Sequence, residues 1–489
     1  VALTSPLLTA GVAIGTIAPE AERVAIIRLA IDRNIAEIDR IISDQVDAVM
    51  RHPRLRKLEA SWRGLRQLIN VADSSDDVKV KLLQARWQEL CHDFEKSVTF
   101  DASVLFQKIY EQEFGMAGGE PFGLLLGDYE VAHAPFQDHR TDDVAALGGL
   151  ARVATAAFAP FVANASATLF GLESFRDLSP SVGPISADRN GAIGISPPTY
   201  LRDIAHEPQY QRWRGLRARE EARFLALTLP ACLIREPEDE LTAASPFRGR
   251  LSREASGPQD FLFTSGVYAF GSIVISSYAR SGWFADIRGA RRGADGGGLA
   301  PDLPSPPFPT DKPDVARRTP VEIQIDFMQE RALDELGIIP LAPATGAPEI
   351  LIRSSPSLYR VTGIGASGAR HNSVLSAMFQ YVLCVSRFAH YLKVFGRELV
   401  GARITAAECE KILGGWIRDY TTSDDNARPE MLAKRPLREA RIEVRDNPAV
   451  SGGFVCRAWL KPHFLPDRLI SAFEITTELG GPGAVGDPA

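Results

Sequence analysis

At 489 residues the chain exceeds what one ordinary hydrophobic core organises, and 45% hydrophobic with 24% charged residues describes a soluble, globular α and β mixture instead of a disordered or fibrous chain. The net charge of −6 supplies no global basic field for displacing phosphate counterions, so no nucleic-acid partner is expected. Five cysteines, Cys91, Cys232, Cys384, Cys409 and Cys456, are odd in number, scattered and free of any C-x-x-C pair, which fits a reducing compartment and argues against a disulfide frame or a cysteine zinc site.

Between Val1 and Glu22 no basic region leads into an apolar run and a small-residue cleavage site, so no secretory signal is expected and 1–21 reads as a flexible segment. From Glu22 to His52 the apolar positions Ile26, Ile27, Ile31, Ile35, Ile38, Ile42, Val46 and Val49 recur at spacings of three and four, which predicts one face of a long amphipathic helix. Pro53 interrupts it. A second helix, Arg54 to Val71, places Leu55, Leu58, Trp62, Leu65 and Ile69 on its apolar side, and the resulting hairpin needs a partner surface from this chain or from another.

Val78 to Leu83 alternates as a strand, Trp87–Lys96 and Ala102–Phe114 read as helices, and Phe122 to Tyr129 is short and apolar enough for a buried strand. The Ala-rich stretch Val144 to Phe175 reads as a buried helix, because Arg152, Pro160 and Asn164 interrupt it too often for a bilayer span. A loop from Asp177 to Pro208, helices over Pro208–Arg223 and Phe261–Tyr278, and a Gly- and Pro-rich surface loop over 289–313 follow. Val321–Ile325 and Glu349–Arg353 read as strands, and Ser373–Val400 and Ala406–Tyr420 as helices. The end turns to β structure, with alternating runs at Arg441–Arg445, Phe454–Lys461 and Leu469–Leu479 before a Gly- and Pro-rich tail, 480–489, that is expected to be disordered.

Enzyme chemistry has one lead. Gly363-Ile364-Gly365-Ala366-Ser367-Gly368 matches the glycine pattern that cradles a dinucleotide pyrophosphate at a helix start. About twenty residues on, where an acidic ribose-binding residue should end a second strand, the chain still reads as helix around Ser386 to His390, so a plain loop is the better reading. The eight histidines contain no H-E-x-x-H pair, and His390 on an apolar helix reads as a core residue. Neither a catalytic group nor a cofactor is expected, and metal sites are not expected either.

Several collinear blocks carry a resemblance. Leu58-Glu59-Ala60-Ser61-Trp62-Arg63-Gly64-Leu65 is similar to an E-x-x-W-R-G-L signature, and Phe122-Gly123-Leu124-Leu125-Leu126-Gly127-Asp128-Tyr129 follows it. Further on come Phe170-Gly171-Leu172-Glu173-Ser174-Phe175, Trp213-Arg214-Gly215-Leu216-Arg217, Arg387-Phe388-Ala389-His390-Tyr391-Leu392 and Arg435-Pro436-Leu437-Arg438-Glu439-Ala440-Arg441. In this order they resemble the large subunit of the type VI secretion contractile sheath, the TssC/VipB-type family. Trp62, Arg63, Gly64, Leu65, Gly127, Asp128 and Tyr129 are the motif residues.

That resemblance implies a mixed α+β, multi-part sheath subunit in the bacterial cytoplasm, with no membrane insertion. It would form a heterodimer with a small subunit of TssB/VipA type, contact neighbouring protomers, surround an Hcp-type inner tube and meet the baseplate. Residues 22–140 and 373–479 would form the inner part and 141–372 the outer part. Ile27, Ile31, Ile35, Ile38, Ile42 and Val46 become candidates for packing against the small subunit. Arg441, Ile442, Glu443, Val444 and Arg445, with Phe454, Val455, Cys456, Arg457, Ala458, Trp459 and Leu460, become candidates for intersubunit strands. A recycling AAA+ ATPase of ClpV type is a further implied partner, but Pro6, Gly11 and Gly15 lower the helix propensity of the Ser5–Pro19 segment that would dock it. Alternatives are a phage-tail-like or extracellular contractile sheath, or a dinucleotide enzyme using Gly363 to Gly368.

Overall fold

The computed structural model describes residues 20–116, 118–175, 185–187, 193–195, 204, 207–235, 261–290, 297–306, 317–344, 349–361, 377–399, 404–424, 427–447, 453–463 and 473–479. The glycine pattern Gly363 to Gly368, the segment Ser5–Pro19 and the tail from Gly480 lie outside them. The fold is mixed α+β and divides into two compact units, Val1–Trp62 with Leu233–Phe263, and Arg63–Cys232 with Thr264–Ala489.

In the first unit, α1 (Glu20–Met50) realises the long periodic helix, and α2 (Pro53–Ala72) begins with proline at its first position, where the missing N–H costs nothing. Arg40 of α1 pairs with Glu37 at 2.8 Å and Asp44 at 2.9 Å, and the guanidinium holds the Glu37 carboxyl below the usual range. Glu59 of α2 meets the buried Arg235 at 3.0 Å, while Arg56 donates to the Phe261 carbonyl at 2.6 Å.

The second unit is built on a parallel sheet in the order β1 (Leu125–Val131), β2 (Phe161–Ala165), β5 (Leu225–Leu229), β8 (Ile338–Pro340). Two short antiparallel pairs, β3 (Ile185–Ala187) with β4 (Ile193–Ile195) and β9 (Ala342–Pro343) with β10 (Ile350–Leu351), and the pair β6 (Cys232–Arg235) with β7 (Leu262–Thr264), complete the middle of the chain. Helix α3 (Trp87–Lys96) precedes the sheet. Helix α4 (Asp143–Ala157) crosses from β1 to β2, capped by the Asp142 carboxylate on the Ala145 N–H and ended by Phe158 in the left-handed region at φ 48°. Helix α4 and α5 (Gln211–Arg217) contribute to one core cluster, and α6 (Gly266–Ser281) to another. Every residue of β2 and β5 is buried, which is the condition of strands covered on both faces.

Several buried polar groups inside this unit are paired. The buried Asp143 carboxylate accepts from Trp87 Nε1 at 2.6 Å, Thr141 Oγ1 at 2.7 Å, the Ala132 N–H at 2.8 Å and His139 Nε2 at 2.7 Å. Arg217 donates to the carbonyls of Leu358 and Glu335 at 2.9 and 3.2 Å, the latter at the end of α7 (Phe327–Glu335), and burial lowers its pKa to about 10. The five cysteines are buried free thiols, and desolvation pushes Cys91, Cys384 and Cys456 up to about 12.

At the C-terminal end, α8 (Phe379–Leu399) and α9 (Ala406–Arg418), with the short α10 (Pro429–Lys434), accompany an antiparallel sheet ordered β11 (Leu437–Asp446), β12 (Phe454–Pro462), β13 (Phe473–Leu479). Thr405 and Glu408 form a reciprocal capping box at the start of α9. His390 is fully buried, with Nε2 3.0 Å from the Ala157 carbonyl at the end of α4.

Five expectations need correction. The stretch from Asp177 to Pro208, expected to be a loop, carries the antiparallel pair β3 and β4. Val78–Leu83 is not a strand: the segment has no regular secondary structure and pairs with no strand among the described residues. Val321–Ile325 is reduced to one bridge between Val321 and Cys232. The stretch 144–175 is broken at Phe158 into α4 and β2, because the left-handed residue and Pro160 end the helix. Pro208–Arg223 divides into short helical pieces around α5.

The burial of His390 lowers its pKa from 6.5 to about 4. Below pH 6.5 the unfolded chain therefore takes up a proton that the folded chain refuses, and stability falls with pH across the window from 6.5 to 4. Between pH 7 and pH 5 this one group should remove about 2 kcal/mol. In urea titrations at the two pH values, His390→Phe should show a smaller loss than the wild type, and equal losses would contradict the assignment.

Candidate assembly surfaces

Four of the motif residues, Gly64, Gly127, Asp128 and Tyr129, meet at one node beside β1. Gly64 of α2 lies so close to Tyr268 of α6 that an added Cβ would sit 2.5 Å from the tyrosine ring. The Tyr268 hydroxyl donates to Asp128 Oδ2 at 3.1 Å, and next to it a Cβ on Gly127 would meet the Phe161 ring at 2.6 Å. Tyr129 donates to the Ala85 carbonyl at 2.7 Å and lies 5.1 Å from the Trp87 ring. Burial pushes the Tyr129 phenol up to about 12, with Asp128 adding to the shift. Both glycines are therefore needed for close approach. The node has a structural role: it brings α2, β1, β2 and α6 together.

Trp62, by contrast, is exposed at 58%. Of the α2 row read as its apolar side, Leu58, Trp62 and Ile69 are exposed and Leu55 and Leu65 are partly buried, while Gly64, Gln67, Leu68, Val71 and Ala72 are buried. The sequence signal for that inversion was present in Gly64 and Ala60, small residues that allow helices to approach closely. On α1, Ile27, Ile31, Ile35, Ile38, Ile42 and Val46 are all exposed, between 38% and 54%. Such a row leaves a continuous apolar strip of α1 exposed.

The C-terminal strand candidates form an antiparallel ladder, with Ile442 opposite Ala458 and Val444 opposite Cys456. Ile442, Val444, Phe454, Cys456, Ala458 and Leu460 turn to the helices and share a core cluster with Trp283 and Phe388, whose rings stack at 4.1 Å. Arg441, Glu443, Arg445, Val455, Arg457 and Trp459 lie on the other face, where Arg441 sits 5.5 Å from the Trp459 ring and Lys461 bonds Glu439 at 3.1 Å. β12 is the central strand, and both its edges are occupied by this chain. β11 is partly covered along its outer side: the Leu437 N–H donates to the Tyr420 carbonyl at 3.2 Å, the Leu437 carbonyl accepts from the Thr422 N–H at 2.8 Å, and the Val444 N–H donates to Glu410 Oε2 at 3.0 Å. Among the described residues no strand lies outside β13. Glu410 was not anticipated, since an acid on a helix carries no signal for a distant strand.

Among the described residues no group of three or more histidines, cysteines or acids could hold a metal ion, and no helix is long and apolar enough to cross a membrane. Comparison with known proteins supplies the identity. The VipB family model, described as EvpB/VC_A0108, tail sheath N-terminal domain, matches residues 32–359, and the tail sheath gpW/gp25-like domain of the same family matches residues 368–479. The chain belongs to this tail-sheath family. It is similar to the type VI secretion system sheath protein TssC1 of Pseudomonas aeruginosa, with 30% identity over 454 residues that cover 92% of this chain and 86% of that protein. It is thus a structural subunit of a type VI secretion contractile sheath, which assembles with other sheath components. The ladder of β11 to β13 falls in the gpW/gp25-like domain, and the motif node falls in the N-terminal domain.

Gly64→Val should destabilise the sheath subunit by about 1–3 kcal/mol through overpacking against Tyr268. Pairing it with Tyr268→Ala should give less than the sum of the two single losses in thermal unfolding. An unchanged melting temperature for Gly64→Val would show that α2 and α6 do not meet there.

Proposed function

We propose that the subunit pairs in the bacterial cytoplasm with a small sheath subunit of TssB/VipA type, and that the heterodimers polymerise around an Hcp-type tube above a baseplate. Contraction of this lattice would drive the tube and its effectors outward. No chemistry in this chain is required. The exposed row from Ile27 to Val46 carries the pairing argument, since burying each half-exposed isoleucine contributes about 1 kcal/mol. Residues 22–140 and 373–479 are proposed as the inner part and 141–372 as the outer part, with β1 reaching from the first range into the sheet of the second.

Strand exchange between protomers is proposed for the C-terminal sheet. Arg441–Arg445 and Phe454–Leu460 form the ladder that holds the platform together, and a neighbour's strand would join beside β13, where no strand of the described chain competes. Such addition satisfies edge N–H and C=O groups and links copies without altering their cores. Pro6, Gly11 and Gly15 lower the helix propensity of Ser5–Pro19 and so argue against docking of a ClpV-type ATPase through that segment.

Co-expression with the small subunit should yield hollow tubes in negative-stain electron microscopy. Ile31→Glu combined with Ile35→Glu should abolish co-purification of the small subunit while leaving thermal unfolding of the chain within about 1 kcal/mol, as expected for substitutions at exposed positions. Persistent monomers from the wild-type pair, or unaffected pairing by the double variant, would count against this reading.

A further inference from the structure

Arg217, the last residue of α5, is only 5% exposed and has no carboxylate partner among the described residues. Its Nε donates to the Leu358 carbonyl at 2.9 Å and its Nη2 to the Glu335 carbonyl at 3.2 Å, while Nη1 bonds no described residue. The seat is shaped around the guanidinium. Gly337, in the left-handed region at φ 78°, lies so close that an added Cβ would sit 2.6 Å from the Ser357 carbonyl oxygen and 3.1 Å from Arg217 Nη2.

The neighbouring backbone brings a second cation instead of an acid. The Arg360 N–H donates to the Arg217 carbonyl at 2.7 Å, and the Arg360 side chain is exposed with no partner among the described residues. Burial lowers the pKa of Arg217 and the Arg360 charge lowers it further, with no acid acting against them. The carboxylates close by in the chain are engaged elsewhere: Glu220 accepts from the Tyr359 hydroxyl at 2.9 Å and pairs with Arg223 at 2.9 Å, and Glu335 lies 3.6 Å from Arg331. Carbonyl dipoles solvate the Arg217 cation without neutralising it, so an anion is what the pair lacks.

We propose that Arg217 and Arg360 bind a small phosphate-bearing anion, either free phosphate or a phosphomonoester. Arg217 offers the N–H groups of Nη1, and Arg360 offers a whole guanidinium fork of the kind that matches phosphate oxygens. Charge selects the class: a phosphate near −2 neutralises both arginines, whereas one carboxylate would leave a cation uncompensated. The inference stands on this pair and does not rest on the sheath reading.

The test is isothermal titration of the full-length chain with inorganic phosphate, adenosine monophosphate and acetate at constant ionic strength. Phosphate should bind saturably with a Kd at or below about 1 mM. Arg360→Gln should weaken it at least about tenfold, the scale of a lost hydrogen bond between charged groups, and Arg360→Lys should weaken it less. Because the Arg360 side chain is exposed and unpartnered, both variants should melt with the wild type in phosphate-free buffer. Tighter binding of adenosine monophosphate would identify a phosphomonoester as the occupant, and equal or weaker binding would identify the free ion. Absence of saturable phosphate binding, undiminished affinity in Arg360→Gln, or acetate binding as tightly as phosphate would overturn the proposal.

Discussion

Backbone groups along a strand edge must find partners, and this requirement organises the sheath subunit more than any single side chain does. Inside the second unit it is met by parallel pairing of β1, β2, β5 and β8, with helices in the core clusters on both faces of the buried strands. At the C-terminal sheet it is met in three different ways. β12 is flanked by its own chain on both sides, β11 borrows Glu410 and the turn at Tyr420–Thr422, and β13 carries no described strand on its outer side.

The motif residues serve this arrangement indirectly. Gly64, Tyr268, Asp128 and Gly127 fix the approach of α2 to β1 and α6, and the same close packing turns Trp62 outward. One short sequence block thus combines a buried glycine that sets the packing with an exposed aromatic suited to an interface. Chemistry is absent from the node: its buried polar groups are paired with one another or with backbone, as are the Asp143 and Arg217 clusters nearby.

The legible parts of the sequence were those with a period. The rows of α1, α3 and α9 and the alternation of β11 and β12 follow directly from one face being buried or available for burial. Strands β2 and β5 carry no alternation, since both faces are covered, and β2 was absorbed into a longer apolar stretch read as helix. Periodicity found the apolar row of α2 but could not tell whether it faces the core, and the structure leaves Leu58, Trp62 and Ile69 exposed with Leu55 and Leu65 partly buried. Val78–Leu83 has the alternation of a strand in its sequence, but no strand pairs with it among the described residues. Family resemblance, carried by collinear blocks, pointed to assembly where the residues alone could only exclude an obvious active site.

The account depends most on the outer side of β13, where none of the described strands pairs. A cryo-electron microscopy map of the polymer formed with the small subunit would decide it at that position. The account predicts a backbone strand from another polypeptide running about 4.8 Å outside β13, the spacing of paired strands. A map in which that side is bare, or is filled by the subunit's own chain, would contradict it.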